Sequence, residues 1–600
     1  MKNFFTSMLG ALVALMVFFA GCFVLFIGFI AAMAAAAGNQ EKAPTQFEKG
    51  SYLVLDLGAA MADAPQEFDL AMFGSRRETL QTRAVTQALR QAAKDDRIAG
   101  VYLSGDLSQA AFTSGYASLR EVRDALTTFK ESGKPVVAYL TFATTKTYYL
   151  ASAATDLAID PYGVILVPGL ATEPMFFAGA FEKYGVNVQV TRAGKYKSAV
   201  EPFIRRDMSP ENREELQKLL NDLWEGLLTD IAPNRDLTPE KIQATVDREG
   251  VLRADKAKEN GFVDRIAYRD EIYDELKEKT GRKDDPKRGF KQVALEEYIK
   301  HTKGRSGGTD AGSAKIAVVY AEGDIVDGEG DLGQVGGSRF SRELRKLRQD
   351  PNVKAIVLRV NSPGGSATAS EAIQREVRLA KEVKPVVVSM GSYAASGGYW
   401  IATYADRIFA EPVTITGSIG VFGIQFDVQQ LANNVGITFD RVTTGKFAGS
   451  LTITRPKTPE EMAIVQGLID WTYDQFLTKV AESRGLPRAK VEEIAQGRVW
   501  SGQEAQKLGL VDDLGGLDAA IRYAAERAEL GGKYRLQEYP RRKELVEALQ
   551  ELIEKKRPNR AESSLAGQVT ARIEQELKTL QSFNDPKGVY ARLPLNLPLQ

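Results

Sequence analysis

The chain contains an internal sequence repeat, and this repeat constrains the fold more than any other feature. The stretch 133–161, GKPVVAYLTFATTKTYYLASAATDLAIDP, matches 383–412, VKPVVVSMGSYAASGGYWIATYADRIFAEP, at an offset of 250 residues that becomes 251 after one insertion. Further matches follow in the same order, 184–203 with 435–454 and 254–266 with 501–514. Matches that keep one order and almost one offset indicate tandem copies of a single fold.

Each copy alternates short apolar runs with amphipathic stretches. In the second copy, 354–361, 384–390 and 407–412 have the composition of strands, whereas 369–383 and 459–485 have helical periodicity. Strands that alternate with helices need crossover connections, which produce a largely parallel sheet. The sequence therefore predicts an α/β fold in each copy, with largely parallel sheets and flanking helices.

The repeats and the changes in composition divide the chain into five parts. They are an N-terminal anchor with a juxtamembrane segment (1–50), the first copy (51–280), a linker rich in Gly, Ser and charge (281–313), the second copy (314–540) and a charged helical tail (541–600). The single histidine, His301, falls in the linker, where we expect it to be solvated rather than catalytic.

Charge and cysteine content exclude several classes of function. Lys plus Arg and Asp plus Glu both number 78, so no net charge attracts nucleic acid. The single cysteine, Cys22, excludes an internal disulfide, and one cysteine with one histidine argues against a zinc site of the usual ligands. We therefore expect no metal ion, no cofactor and no nucleic-acid partner.

The N-terminus predicts a membrane anchor. Residues 8–37 are thirty residues without a charge, and as a helix they would span about 45 Å, more than the ~30 Å hydrocarbon core of a bilayer. Lys2 before this stretch favours a cytoplasmic N-terminus with the body on the other side of the membrane. Two alternatives stay open, a cleaved signal peptide ending near AAAAG and lipidation at Cys22.

A serine on a small-residue turn is the candidate nucleophile. Ser396 lies in SYAASGGYW, directly after an apolar run, and the first copy has Thr145 at the same place. Serine needs a base to become nucleophilic, and the only histidine is in the linker. Lysine is the known alternative base. Lys197 in GKYKSAVEPF aligns with Ala448 of the second copy, so each copy retains what the other lacks. This pattern predicts one site assembled from both copies.

The lysine must be neutral to accept a proton. Its ordinary pKa of about 10.4 has to be lowered by burial before it can act near neutral pH. Ser418 in TGSIGVFG is well placed to hydrogen-bond Lys197 and help hold it neutral. The simpler readings are that Lys197 is a surface charge and that Ser418 only ends a strand.

Glycines supply the candidate oxyanion donors. Gly364 and Gly365 follow Pro363 in RVNSPGGSA, where backbone N–H groups can approach an oxyanion without a side chain between. The N–H of Gly397, next to the candidate nucleophile, would be the second donor. The first copy has VYLSGDLSQA at 101–110 and lacks the double glycine.

Taken together, NSPGGS, AASGGYW, TGSIGVFG and GKYKSAVEPF resemble the long, tandem-repeat form of the bacterial signal peptide peptidase A family, also called protease IV. The resemblance covers nearly the whole chain. It implies ClpP/crotonase-like domains and a membrane-bound serine protease with a Ser-Lys dyad that degrades signal peptides left in the membrane after export. The roles it implies are nucleophile for Ser396, general base for Lys197, lysine orientation for Ser418, and an oxyanion hole from Gly365, Gly364 and Gly397.

The resemblance also implies partners and a location. The partners would be signal peptides and other apolar peptides, lipid of the inner membrane, and further copies of the chain in a homotetramer. The location would be the bacterial inner membrane, crossed once, with the catalytic body on the periplasmic side. Two alternatives remain: a crotonase-type acyl-CoA enzyme, since this fold hosts several chemistries, and a catalytically inactive, membrane-tethered scaffold that binds peptides.

Overall fold

The structure is a computed structural model that describes residues 47–59, 61–65, 79–105, 115–285, 287–303, 314–331, 333–540 and 582–593, together with Gly21. The predicted anchor at 8–37 lies outside the described residues except for Gly21. None of the helices in the described ranges is both long enough and apolar enough to cross a bilayer. From Lys49 onward the chain forms one compact unit.

Strands and helices alternate through the first copy, as its repeat pattern predicts. The elements are β1 (Ser51–Asp56), β2 (Met61–Ala62), β3 (Leu80–Gln81), α1 (Thr82–Lys94), β4 (Ile98–Ser104), α2 (Tyr116–Glu131), β5 (Val136–Thr144), α3 (Thr145–Ala151), β6 (Asp156–Leu166), α4 (Ala178–Tyr184), β7 (Asn187–Ala193), α5 (Glu201–Ile204), α6 (Pro210–Ile231), α7 (Pro239–Glu249), β8 (Val251–Arg253), α8 (Ala254–Glu259), β9 (Arg265–Ile266), α9 (Arg269–Lys279), β10 (Gln292–Ala294) and α10 (Leu295–Lys303).

The second copy has the same alternation. Its elements and the strand that follows it are β11 (Lys315–Glu322), β12 (Ile325–Val326), β13 (Val335–Gly336), α11 (Gly337–Gln349), β14 (Val353–Ser362), β15 (Gly364–Ser366), α12 (Ala367–Lys381), β16 (Val386–Ala395), α13 (Gly397–Ala402), β17 (Arg407–Ala410), β18 (Ile415–Gly417), β19 (Val421–Asp427), α14 (Gln429–Asn434), α15 (Pro459–Arg484), α16 (Arg488–Ile494), β20 (Val499–Ser501), α17 (Gly502–Lys507), β21 (Asp513–Leu514), α18 (Leu517–Arg527), β22 (Arg535–Tyr539) and β23 (Tyr590–Arg592).

Two largely parallel sheets share one strand order. The first sheet runs β10-β1-β4-β5-β6-β8 with β9 beside β6, and the second runs β22-β11-β14-β16-β18-β20 with β17 beside β16 and β21 beside β17. In each sheet only the last pair, β6 with β8 and β18 with β20, is antiparallel. The same order in two sheets of one chain is the arrangement that two copies of one fold produce.

The local sequence explains where these elements begin and end. The central strands β14 and β16 are buried on both faces, so they consist of nearly continuous apolar runs rather than alternating ones. Helix α15 begins with a capping box between Thr458 and Glu461 and ends before Gly485 in the left-handed conformation. The predicted helix 459–485 is thereby confirmed to within one residue.

A third, six-stranded sheet joins the two copies. Its order is β13-β12-β15-β23-β19-β7, so strands from both copies and from the C-terminal region lie side by side. Strand β7 of the first copy pairs antiparallel with β19 of the second copy along its whole length. The chain directly after β7 is thereby carried into the second copy.

A buried ion cluster also connects the copies. Arg359 on β14 is 1% exposed, and its guanidinium donates to Asp63 at 2.8 Å and to Glu121 at 2.5 Å, both in the first copy. Removing one partner of a buried charge pair leaves the other uncompensated, which is strongly destabilising. The cluster therefore opposes separation of the copies.

The structure differs from the sequence-based expectation in two regions. Within the predicted linker 281–313, β10 is an edge strand of the first sheet, paired with β1, and the helix α10 follows it; Val293 on β10 and Tyr298 on α10 are both buried. Of the predicted helical tail 541–600 only 582–593 is described, and there β23 is a strand. In both places the surrounding sequence is rich in charged residues, and a short apolar run within it becomes a strand through tertiary pairing.

Candidate active site

Ser396 stands on a sharp turn between β16 and α13. Its φ of 55° is rare for a residue with a side chain. The Ser396 amide donates to the Gly417 carbonyl oxygen at 2.8 Å, and its own carbonyl oxygen accepts from the Trp400 amide at 2.8 Å in the first turn of α13. These bonds hold a strained backbone, and strain of this kind concentrates at functional sites. The Ser396 side chain is fully buried.

Lys197 reaches this serine from the first copy. The chain leaves β7 at Ala193 and turns at Gly194, whose φ is 104° and whose carbonyl oxygen accepts from the Lys197 amide at 3.1 Å. The Nζ atom of Lys197 lies 2.8 Å from the Oγ atom of Ser396. The structure therefore brings together, within one chain, the two residues that the complementary losses paired.

Ser418 lies on the opposite side of the lysine amine. Its Oγ atom is 2.9 Å and its carbonyl oxygen 3.1 Å from Lys197 Nζ. Ser418 has φ 50° and is fully buried between β18 and β19. It therefore contacts the amine with both its side chain and its backbone. The simpler interpretation, that Ser418 only ends a strand, does not account for these contacts.

The electrostatic environment disfavours a charged lysine. Burial holds the pKa of Lys197 well below its usual value, and Arg592 acts in the same direction while Glu215 opposes it. Among the described residues no carboxylate forms an ion pair with the Lys197 amine. An amine in such surroundings is mainly neutral at a pH where an exposed lysine is charged.

The two glycines after Pro363 form the short strand β15 beside the nucleophile. A Cβ atom added to Gly364 would lie 2.6 Å from the amide nitrogen of Gly397, so only glycine fits there. The Gly364 amide already donates to Ser362 Oγ at 3.1 Å. Gly365 is paired with Ala591 of β23, so a substrate carbonyl would meet the predicted donors, the amides of Gly365 and Gly397, in the place that Ala591 holds.

A strand of the same chain lies across these glycines. Strand β23 is inserted between β15 and β19 and is antiparallel to both, with Ala591 paired to Gly365. The Ala591 carbonyl oxygen would lie 2.2 Å from a Cβ on Gly364 and 2.9 Å from one on Gly397. A peptide carbonyl thus sits against the predicted oxyanion donors.

Neither copy carries the complete set of candidate catalytic groups. Thr145 begins α3 where Ser396 precedes α13, Val167 stands at the place of Ser418, and Ala448 stands at the place of Lys197 in the second copy. The chain therefore has one set of these groups, with Lys197 from the first copy and Ser396 and Ser418 from the second.

Three features of the site were not predicted from the sequence. Strand β23 was assigned to a helical tail, although the apolar Val589–Ala591 after Gly588 was a usable strand signal. Two other features carry no motif. They are Glu215, buried on α6, and the segment 496–499, which touches the turn that carries Lys197 (residues 194–198, the lysine loop). Their neighbours are distant in sequence, so no local pattern could have found them.

Comparison with known proteins matches both copies to one family. The family model for Peptidase family S49 matches residues 128–283 and again 378–531. Among solved structures, a mutant of ClpP1 from Listeria monocytogenes shares 16% identity over 37% of this chain and 98% of that one, but its TM-score of 0.24 carries no weight for the fold.

Curated relatives cover most of the chain. Protease 4 of Salmonella typhi is 36% identical over 90% of this chain and 89% of its own length, and Protease 4 of Haemophilus influenzae is 33% identical over 94% and 95%. Serine protease SPPA, chloroplastic, of Arabidopsis thaliana is 36% identical over 80% of this chain and 70% of its own length. With one family match in each copy, the chain belongs to peptidase family S49 in its long, tandem-repeat form and is a serine protease of that family.

Proposed function

We propose that this chain is an endopeptidase with a Ser-Lys dyad that degrades signal peptides. The observation that carries the dyad is the set of neighbours around Lys197 Nζ. A neutral amine has two N–H donors and one lone pair. The carbonyl oxygen of Ser418 can only accept, and Ser418 Oγ can accept as well. The lone pair is then left for the hydroxyl proton of Ser396 at 2.8 Å.

The reaction follows from this proton arrangement. Ser396 Oγ attacks the peptide carbonyl carbon and forms a C–O bond while its proton passes to Lys197 Nζ. The carbonyl electron pair moves onto oxygen, where the amides of Gly365 and Gly397 stabilise it. The C–N bond then breaks, and the lysine ammonium returns the proton to the leaving amine. Water repeats the cycle on the acyl-enzyme and releases a carboxylic acid.

Strand β23 supports a peptide as the substrate. An extended chain already fits between β15 and β19 with main-chain pairing on both sides, which is the β-strand addition mode of peptide recognition. The residue whose carbonyl meets the glycines is Ala591, a small residue with its side chain in the apolar core. Signal peptides combine apolar stretches with small residues near their ends, so they suit such a groove.

We also propose that the body is held at the bacterial inner membrane. Residues 8–37 form an uninterrupted apolar stretch long enough to span it. An anchored protease would meet peptides that remain in the bilayer after export. Lipid of that membrane is then a partner of residues 8–37.

Cleavage of a synthetic signal peptide is expected to depend on pH in a defined direction. Only the neutral amine of Lys197 accepts the serine proton, so kcat/KM should rise with pH through an apparent pKa well below 10.5. The measurement is kcat/KM from about pH 5 to about pH 10, with Ser396→Ala as the blank. A rate that follows an unshifted lysine pKa, or a chain that binds the peptide without cutting it, would contradict the proposal.

We propose further that copies of the chain assemble head to tail. The exposed apolar segment, residues 435–453, has Val442 99% and Leu451 93% exposed. At the repeat offset of 251, the first-copy residues Thr191 and Val200 are buried on the second copy. The same surface is therefore covered in one copy and bare in the other.

The partner surface also has a counterpart. Strand β19, on which β7 lies, corresponds to residues 170–176 of the first copy, which form no strand in the structure. Residues 438–444 of one chain are thus placed to pair with 170–176 of the next chain. Such a heterologous contact generates a closed ring when the rotation that relates neighbouring chains returns to its starting point after a whole number of chains. The family resemblance suggests four chains.

A charge in the exposed apolar segment is expected to dissociate this assembly. The double substitution Val442→Asp with Leu451→Asp should lower the mass measured by analytical ultracentrifugation, because a desolvated carboxylate is costly in an apolar contact. Val383→Asp is the matched control, since Val383 is also exposed (63%) but lies outside the segment. An unchanged mass in the double variant would rule out this interface.

A further inference from the structure

A four-residue segment of the second copy, the bridge segment 496–499, holds the lysine loop. The carbonyl oxygen of Gln496 accepts a hydrogen bond from the Tyr196 amide at 2.9 Å. Next to it, Gly497 has φ 79°, and a Cβ atom there would lie 2.6 Å from the backbone nitrogen of Lys197. The bridge segment thus contacts the backbone of the proposed base so closely that a side chain is excluded.

The same segment holds the other side of the amine. The carbonyl oxygen of Arg498 accepts from the Ser418 amide at 2.7 Å, and the Gly497 amide donates to the Ile419 carbonyl oxygen at 2.8 Å. Ser418 is therefore fixed to the bridge segment by main-chain bonds. The distance between the lysine loop and Ser418 is set by the position of this segment.

One buried carboxylate ties the bridge segment to the lysine loop. Glu215 on α6 is 1% exposed and belongs to the first copy. Its Oε1 atom accepts from Ser198 Oγ at 2.9 Å, and its Oε2 atom accepts from the Val499 amide at 3.2 Å. Ser198 directly follows the lysine, and Val499 ends the bridge segment. Both carboxylate oxygens are used, one on each copy.

We propose that Glu215 is a positioning residue of the reaction, which fixes Lys197 against Ser418 through Ser198 and Val499. The inference rests on the proposed Ser-Lys chemistry. Glu215 does not touch the reacting atoms and acts only through the lysine. A displacement of a catalytic group by about 1 Å can cost about 10²-fold in rate, so loss of the Glu215 hydrogen bonds should have a measurable effect on kcat.

The surrounding charges give Glu215 a pH signature. The Lys197 amine faces Glu215 from α6 and Arg592 from β23, and Arg592 is paired with Asp324 at 2.9 Å. Glu215 itself faces Lys197 and Arg498. Burial raises the pKa of Glu215, whereas the hydrogen bonds from the Val499 amide and from Ser198 oppose this by favouring the ionised carboxylate. An ionised Glu215 favours the protonated lysine, because opposite charges stabilise each other.

Substitution of Glu215 tests whether its hydrogen bonds to Ser198 and Val499 position the lysine. Glu215→Ala should lower kcat about 10²-fold with little change in KM, because the lysine loses its position while the groove stays intact. Glu215→Gln should lower kcat about tenfold, since its single acceptor oxygen serves only one of two donors. It should also move the acidic limb of the kcat profile to lower pH, because the protonated lysine loses the charge that favours it.

A matched control separates position from stability. Glu201 is equally buried, and its carboxylate accepts from the Ser209 amide and the Asn212 side chain, both at 3.0 Å, without touching the bridge segment. Glu201→Gln should change thermal stability but leave the acidic limb in place. Ser198→Ala removes one donor only, and should lower kcat several-fold even if Glu215→Ala fails to fold.

The outcomes are distinguishable from failure of the proposed function. A wild-type chain that does not cleave peptide would overturn the proposed chemistry. A wild-type chain that cleaves, with Glu215→Gln and Glu201→Gln equally slowed and neither shifted in pH, would show that Glu215 acts on stability alone and would overturn this inference. Wild-type kcat and an unmoved limb in both Glu215→Gln and Ser198→Ala would overturn it as well.

Discussion

Ser396→Ala and Lys197→Ala are each expected to reduce kcat for peptide cleavage by about 10⁴-fold or more. Removing the nucleophile prevents formation of the acyl-enzyme. Removing the base leaves a serine hydroxyl with no group to accept its proton, and such a hydroxyl is a weak nucleophile. The two losses should not add in the double variant, because the residues act as one unit. The measurements are peptide hydrolysis and labelling with a fluorophosphonate serine probe.

Equivalent positions in the first copy provide the controls for this experiment. Thr145→Ala and Lys146→Ala alter the residues that align with Ser396 and Gly397, and should leave cleavage within about twofold of wild type. Lys197→Met keeps a side chain of similar length in the apolar pocket and should remain folded while inactive. Full labelling and hydrolysis by Lys197→Ala would mean that another group is the base.

A mixing experiment extends the same prediction. Because Lys197 Nζ and Ser396 Oγ lie 2.8 Å apart within one chain, mixed preparations of the two alanine variants should remain inactive. Activity recovered on mixing would mean that the dyad forms between chains, contrary to the geometry.

Gly364→Ala is the second substitution with a large expected effect, at least about 10²-fold in kcat/KM. Its φ of 97° is costly for any residue with a Cβ atom. The added Cβ would also lie 2.2 Å from the Ala591 carbonyl oxygen and 2.6 Å from the Gly397 amide nitrogen. It would therefore fill the place where a substrate carbonyl has to meet its donors.

Gly467→Ala is the matched control for this substitution. Gly467 lies on an exposed face of α15, and a Cβ atom there would meet nothing within 4 Å. Alanine should leave kcat/KM unchanged and stabilise the helix by up to about 1 kcal/mol. Thermal unfolding of both variants separates loss of fold from loss of the groove. Wild-type cleavage by Gly364→Ala would show that β15 does not line the reaction site.

The contact between Lys197 and Ser396 could be predicted from the sequence because the duplication provides an internal comparison. Ser396 opposite Thr145 and Lys197 opposite Ala448 single out the residues that one copy has kept and the other has lost. The positions of strands and helices could also be predicted, because they leave local patterns in the sequence. Buried parallel strands such as β14 are continuous apolar runs, and capping residues such as Thr458 mark helix ends locally.

Other parts of the site depend on contacts that leave little or no local signal. Strand β23 forms because β15 and β19 offer it two edges, and the short apolar run Val589–Ala591 is the local signal for it in the predicted helical tail. Glu215 looks like any acidic residue of an amphipathic helix until the fold places Ser198 and Val499 beside its carboxylate. Such residues are identified by their partners, which tertiary structure alone supplies.

The division of the site between the copies has an evolutionary consequence. A duplicated gene normally carries a spare, so that one half is free to decay or acquire a new task. Here neither half is spare, since Lys197 of the first copy and Ser396 of the second each supply one member of the proposed dyad. Deletion of either half would remove one member of the proposed pair, so selection for that activity would preserve the contacts between the copies as strictly as the two residues themselves.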